Sequence, residues 1–341
     1  MGIFMMKRLT SIAASVLTLA ACGAQPVAQA SAGEKASDFA AEPNAQNPSS
    51  ASNARRQMLS ATPENLMAVI NRAPGGSTIK LARGSYGIFT LEQKTFDPAL
   101  TLDATDATFN ELIVKNVSGL SIRGGKIIGS PGWGTRYGIT ARWVKDLEIR
   151  DFAISGTVRG IVVSDAKDIA LIDNRLTDLR SDGINFAVVD NILVQGNSCS
   201  DFTPIKATYD ASGKRLKDGD HPDCIQSWAS DGSSSNIRII GNRMEGFMQG
   251  IFIAPASAGR AKGNGFSNVV VRDNFIRIQG YTGVRLQAVT GGEIIGNDVA
   301  AIPLDDGRQV KANISFQLST GITMCGNKVP DIKNHPATAR C

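Results

Sequence analysis

"LEIRDFAISGTVRGIVVSDAKDIALIDNRLTDLRSDGINFAVVDNILVQGNSC", Leu147 to Cys199, repeats one pattern three times. In "LEIRDFAI", "ALIDNRL" and "LVQGNSC", alternating apolar residues run into a tight turn, and the turn positions are Phe152, Asn174 and Asn197. Later copies, "IIGNRM", "VRDNFI", "IIGNDV" and "MCGNKV", place Asn242, Asn274, Asn297 and Asn327 at the same point. The separations are 22, 23, 45, 32, 23 and 30 residues. A second series, "YGITA", "RGIVV", "DGINF", "DCIQS", "QGIFI", "TGVRL" and "ANISF", runs in step with it. Its apolar column is Ile139, Ile161, Ile184, Ile225, Ile251, Val284 and Ile314. Short strands recurring at this period predict a solenoid, with rungs of about 22 residues stacking in parallel at about 4.8 Å. The longer intervals mark insertions at about 203–220 and 255–267. Asparagines at equivalent turns are expected to form a hydrogen-bonded ladder inside the coil, a structural role.

An open end of such a coil needs a cover. In "TPENLMAVINRAPGGSTIKL", Thr62 is the expected N-cap and Pro63 the first helical residue, with Leu66, Val69 and Ile70 as an apolar face. Gly75 and Gly76 end the helix before the first strand. The cap and the seven rungs together resemble right-handed parallel β-helix proteins of the pectate-lyase and polygalacturonase type. The resemblance covers residues 60 to about 330, and implies a single all-β domain over 57–341.

The chain's 341 residues are 42% hydrophobic and 20% charged, with a net charge of +5, which suits a globular protein. No block of Lys and Arg suggests a nucleic-acid arm. At the N-terminus, Lys7 and Arg8 precede an apolar run from Leu9 to Ala21 that ends Leu19-Ala20-Ala21-Cys22-Gly23. This resembles a bacterial lipoprotein signal: residues 1–21 are removed and Cys22 is acylated. Residues 22–56, rich in Ala, Ser, Gln, Pro and Asn, read as a flexible tether. The protein is therefore expected to be exported and lipid-anchored in the cell envelope, at the outer membrane or a periplasmic face, or otherwise periplasmic or secreted, and to act as a monomer. In an oxidising compartment Cys325 with Cys341 is the favoured disulfide, and Cys199 with Cys224 is the other pairing considered.

Strand alternation names the outward side chains. Asp182, Asn185, Asp223, Gln226, Trp228, Gln249, Arg285 and Gln287 share one face over four successive rungs. The polar stretch "KDGDHPDCIQSW", Lys217 to Trp228, adds Lys217 and His221 from the first insertion. A wall of amides, carboxylates, Arg and an aromatic platform suits an acidic polysaccharide, with Asn185, Gln226, Trp228, Gln249 and Gln287 as substrate-binding residues. The motifs "SDGINF", "PDCIQSW", "MQGIFIA" and "TGVRLQA" look like the four strand motifs of the polygalacturonase family. That resemblance sets Asp182 and Asp223 at water-activating positions and Arg285 at a substrate-binding one. The chain departs from it at Pro222, where the family has its acid, at Gln249 in place of His, and at Leu286-Gln287 in place of Ile-Lys.

Three activities fit these residues. The leading expectation is a polysaccharide lyase acting on a uronate glycan, with Arg285 neutralising the carboxylate, His221 or Lys217 as base, and Ca²⁺ as a candidate ion on Asp182 and Asp223. The others are a hydrolase using Asp182 and Asp223, with His221 in the missing acid's role, and a glycan-binding protein without turnover. Epimerisation uses related chemistry. If the N-terminal reading holds, wild-type protein partitions into the detergent phase and Cys22→Ser protein stays aqueous; a Cys22→Ser protein in the detergent phase overturns it.

Overall fold

The computed structural model describes residues 57–130, 134–304 and 307–334. By its contacts the chain divides into two units, Met1–Ala51 and Ser52–Cys341, and every described residue belongs to the second. The expected signal sequence, the expected acylation site Cys22 and the expected tether all lie outside the described residues, as does Cys341. Among the described residues no helix is long and apolar enough to cross a membrane.

Among the described residues the domain is nearly all β, with two short helices, Leu66–Arg72 and Ser257–Ala261. Its strands form three parallel stacks, and each repeat adds one strand to each stack. The third stack is a separate sheet of nine short strands, from Gly84–Ser85 to Asp298–Ala301. The other two belong to one 17-stranded sheet. Long strands such as Arg159–Ile172 and Ile184–Gln195 join them by running through the corner. The corner needs a left-handed residue, and the aligned Asp165 and Val188 supply it with φ of 53° and 56°.

Register follows the apolar columns. Ile139, Ile161, Ile184, Ile225, Ile251, Val284 and Ile314 are consecutive partners. The column two residues on runs Ala141, Val163, Phe186, Ser227, Ile253, Leu286, Phe316. Both columns are buried. A slip of one residue would expose each column at a cost of about 1.5–3 kcal/mol per large side chain, so the alignment is strongly specified. The stack also begins earlier than the repeats suggest. Leu112 and Val114 of Glu111–Arg123 lie under Ile139 and Ala141, and Phe89 and Leu91 lie under those. These first coils lack the turn asparagine, so the pattern does not show them.

The cap is a helix over Leu66–Arg72 with Leu66, Val69 and Ile70 buried. Its N-cap is Asn65, not Thr62. Thr62 to Asn65 form a preceding turn, in which the Thr62 amide donates to Asn65 Oδ1 at 2.8 Å, so Pro63 lies outside the helix. A strand missed by the sequence reading, Met58–Ala61, pairs in parallel with Thr78–Leu81.

The asparagine ladder is present. The backbone amide and Nδ2 of Asn174 both donate to Asn197 Oδ1, each at 2.9 Å. Asn197 bonds Asn242, Asn242 bonds Asn274, Asn274 bonds Asn297, and Asn297 bonds Asn327 in the same way. Each Nδ2 also reaches a main-chain carbonyl; for Asn242 this is Val194 O at 2.9 Å. The amides thus satisfy backbone groups that the tight turn removes from the sheets. Asn242→Ala leaves the Asn197 amide buried without its partner, at about 1–3 kcal/mol, and takes one donor from Val194 O. Urea unfolding of Asn242→Ala is expected to show a loss of about 1–3 kcal/mol; a loss below about 0.5 kcal/mol would remove the ladder from the account of stability.

Candidate functional site

The candidate site lies on the stack containing Asp223–Ser227 and Gln249–Ile253. Alternation turns Ile225 and Ser227 inward, and Ser227 Oγ donates to Phe186 O at 2.8 Å. The residues between them point out. Asn185 aligns with Gln226, Gln226 with Phe252, and Phe252 with Arg285. Asp223 opens its strand and aligns with Gln249. Asp182 stands one coil back, at the bend before Ile184. Two backbone bonds, Gly183 N to Asp223 O at 2.9 Å and Gly160 N to Asp182 O at 3.0 Å, hold this corner.

Gly183 is required there. A Cβ on it would lie 2.6 Å from Cys224 O and 2.9 Å from Cys199 Sγ. Those sulfurs form a disulfide, Cys199–Cys224, which ties the strand bearing Asp223 to the third stack. The sequence reading favoured Cys325 with Cys341 over this pair. Compartment and spacing cannot rank pairings, whereas stacking brings the Cα atoms of 199 and 224 to 5.8 Å. A closed loop of this size contributes about 3 kcal/mol. Cys325 is disulfide-bonded as well.

Asp182 and Asp223 are each only 2% exposed. Asp182 Oδ1 accepts the Asp223 amide at 3.2 Å, and Arg159 Nε lies 2.9 Å from its Oδ2 in an ion pair that gives that oxygen no aligned hydrogen bond. Asp223 Oδ2 accepts Gln226 Nε2 at 2.5 Å, and Gln226 Oε1 accepts Asn185 Nδ2 at 2.6 Å. Asp223 Oδ1 is buried without a hydrogen-bond partner. Burial pushes the Asp223 carboxyl well above its ordinary 3.8, and the charge of Asp182 adds to the rise. Burial also raises Asp182, with Arg159 opposing it. The corner thus sets one carboxyl whose burial disfavours its charged form beside another held by a guanidinium.

Over this pair opens a cavity of about 430 Å³ lined by Arg159, His221, Asp223, Gln226, Trp228, Gln249 and Phe252. His221 comes from the first insertion and is 66% exposed at its side chain, with Nε2 3.3 Å from Asp218 Oδ1. Trp228, 46% exposed, stacks on Phe252 with ring centroids 5.8 Å apart. Asp182 lies beneath Asp223 and does not line the cavity. Arg285 does not line it either: it sits over Phe252, with Nη2 donating to Gln317 Oε1 at 2.6 Å and to Gln287 Oε1 at 3.3 Å. Gln287, expected to be an outward binding residue, is 3% exposed because this network covers it. Lys217 lies on the exposed strand Arg215–Lys217 of a small antiparallel hairpin and does not line the cavity. The second insertion packs on the turn after Trp228, where Ala256 N bonds Ala229 O at 2.9 Å.

Two cavity residues, Arg159 and Phe252, were not named as site residues from sequence. The signal was available, since Arg159 precedes Gly160-Ile161 as Asp182 precedes Gly183-Ile184. The Ca²⁺ expectation does not fit the donors: Arg159 already sits on one of two carboxylates, burial disfavours the charged form of the other, and among the described residues no group of three or more His, Cys, Asp or Glu converges.

No known protein family and no curated protein matches the chain. Among solved structures, an alginate lyase from Paenibacillus sp. str. FPU-7 is 14% identical, at a TM-score of 0.48 over 83% of this chain and 99% of that one. PfbA, a surface adhesin of Streptococcus pneumoniae, is 10% identical, at 0.46 over 82% and 88%. The family 28 exopolygalacturonase of Yersinia enterocolitica is 11% identical, at 0.43 over 84% and 77%. At these identities and scores the likeness assigns neither activity nor substrate to this chain.

A raised carboxyl pKa makes the folded state bind protons that the unfolded state has released. Its contribution to stability is full below about pH 3.8 and is lost as pH rises through the folded value. Asp223→Asn, which keeps the shape without the titration, is expected to flatten that decline and to raise Tm at neutral pH relative to wild type. Identical Tm–pH curves for the two proteins would show that Asp223 is not held protonated by the fold.

Proposed function

We propose that this protein is a polysaccharide-active enzyme that cleaves a uronate-containing glycan by β-elimination in the cavity over Asp223. The observation that carries the reading is the cavity that sets Arg159, Gln226 and Gln249 around Asp223, with its unsatisfied oxygen, and His221 opposite. A uronate carboxylate laid on Arg159 and Gln249 is positioned beside Asp223, whose burial favours its protonated form and so a hydrogen bond to that carboxylate. Neutralising that carboxylate acidifies the C5 proton and stabilises the charge that develops when it leaves. An unprotonated ring nitrogen of His221 takes the proton, the C5–H electrons form the C4–C5 double bond, and the C4–O bond breaks. The imidazolium then returns a proton to the leaving oxygen. Trp228 and Phe252 give the sugar ring an apolar face, and Arg285 meets a carboxylate further along the chain.

Asp182 has a positioning role in this scheme, since its oxygens hold the Asp223 amide and Arg159. A hydrolase using both aspartates on water is less well supported, because Asp182 does not reach the cavity. The architecture supporting the site is inferred to be one right-handed parallel β-helix, stacked rung on rung. Action on an extracellular or envelope glycan follows from the lipoprotein-like N-terminus, and belongs to the same proposal.

The test is a panel of uronate polymers followed at the ultraviolet absorbance of the unsaturated product. Wild type is expected to generate that absorbance, His221→Ala to lower kcat by roughly 10²–10⁴-fold, and Trp228→Ala mainly to raise KM. New reducing ends without absorbance would replace elimination by hydrolysis. Binding without turnover would leave a glycan-binding protein, and wild-type kcat in folded His221→Ala would remove the proposed base.

A further inference from the structure

A base works only as well as it is placed, and His221 stands on an inserted loop with its side chain mostly exposed. A misplacement of about 1 Å can cost on the order of 10²-fold in rate, so an exposed base needs something to hold it. Its two neighbouring aspartates, Asp218 and Asp220, have no part in the scheme above, and both make contacts that fix it.

Asp220 directly precedes His221 and closes the base of the insertion. Its amide donates to Ile205 O at 2.8 Å, and its Oδ2 accepts the Ile205 amide at 2.9 Å. Gly219 permits this approach, since a Cβ there would lie 2.6 Å from Ala207 N and 2.8 Å from Ile205 O. The other contact of Asp220 leaves the insertion altogether. Arg180, two residues before Asp182 on the coil, grips it with Nε 2.8 Å from Oδ2 and Nη2 3.0 Å from Oδ1. Arg180 is 31% and Asp220 20% exposed at the side chain, so this fork is better shielded than an open surface pair. The guanidinium holds the Asp220 carboxyl below the usual carboxylate range. On the far side of His221, Pro222 is buried and its carbonyl accepts the Gln249 amide at 2.8 Å. His221 is thus an exposed residue between two anchored ones.

Asp218 acts on the ring instead. Its Oδ1 lies 3.3 Å from His221 Nε2 and accepts Arg215 Nη1 at 3.1 Å. A carboxylate at that place favours the tautomer with its proton on Nε2, which leaves Nδ1 as the nitrogen that accepts.

We infer that Arg180 and Asp220 form a clamp that positions His221 over the cavity, and that Asp218 orients the ring so that Nδ1 receives the proton. The inference rests on the elimination reading and names positioning residues, since Arg180, Asp218 and Asp220 do not line the cavity over Asp223. In the proton-transfer step the C5 proton moves to Nδ1 while Nε2 keeps its own, and the imidazolium so formed faces the Asp218 carboxylate, which stabilises its charge. The coil thereby reaches into the insertion, and the floor of the site and its base are fixed to each other.

Two readouts test this, and one needs no activity. The chain has two histidines, His221 and His335, so ¹⁵N-histidine labelling of a His335→Gln background isolates the His221 amide. Its order parameter is expected near about 0.85 with the clamp intact and below about 0.6 in Asp220→Asn and Arg180→Gln. On a uronate polymer these variants are expected to lose about 10²-fold in kcat with KM changed by less than about twofold. The Arg180→Gln/Asp220→Asn double variant is expected to be no worse than either single one, because the pair acts as a unit. Arg180→Lys, which keeps the charge without the fork, is expected to fall between, and it carries the comparison if Arg180→Gln does not fold. Asp218→Asn is expected to lower kcat about fivefold, the scale of an ion pair open to water, with the amide still ordered. Arg83→Gln, which removes a charge from an exposed pair on an early coil, changes neither readout. Wild-type kcat and an ordered His221 amide in the double variant would overturn the clamp, as would a loss confined to KM or a kcat loss with the amide still ordered. Loss of order in a protein that cleaves no uronate polymer would uphold the clamp and remove the lyase. Wild-type kcat in Asp218→Asn would overturn the orienting role of Asp218.

Discussion

Ile225 lies between Ile184 and Ile251 because backbone hydrogen bonds between parallel strands, together with the period-two alternation of side chains, leave no other alignment that buries both apolar columns. That in-register stacking is what everything else in the domain rests on. It turns residues 26 to 41 positions apart into neighbours, as Asp223 with Gln249 and Asn185 with Gln226 demonstrate. It also lets one side-chain type serve one purpose in every coil. The asparagine ladder is the clearest instance, each amide satisfying the backbone of the coil before it.

A stack held this firmly can bear local electrostatic cost. Two buried carboxyls on adjoining coils, one with an oxygen lacking any partner, would destabilise a looser structure. Here the disulfide Cys199–Cys224 and the backbone bonds at Gly183 keep the corner closed, and the cost appears as raised carboxyl pKa values. Under the proposed function, the protonated form that burial favours at Asp223 serves carboxylate recognition, and Asp182 supports it.

The insertions divide the work differently. The coil supplies rigid, aligned groups: Arg159, Gln226, Gln249, Phe252. The first insertion supplies what the two-residue alternation of a strand could not aim, His221 above the cavity. The second insertion closes the turn beyond Trp228. Separating a stiff floor from inserted walls is how a fold of near-identical coils acquires one chemically distinct place.

From sequence alone, the repeat spacing and the inward columns determined the stacked parallel strands, the turn-asparagine ladder and the face bearing Asp182, Asp223, Gln226 and Trp228. These are legible because a one-dimensional stack converts periodicity directly into contact. The helix start at Asn65, the early coils without turn asparagines, the burial of Gln287 and the Cys199–Cys224 pairing were decided only in the tertiary structure. So were the distance of Lys217 and Arg285 from the cavity, the ion pair of Arg159 with Asp182, and the raised pKa of Asp223. Each of these depends on how far a side chain reaches across a corner or under a loop. Periodicity says which face a residue is on; desolvation, pairing and reach depend on what lies above that face, and in this protein that is settled by insertions with no period.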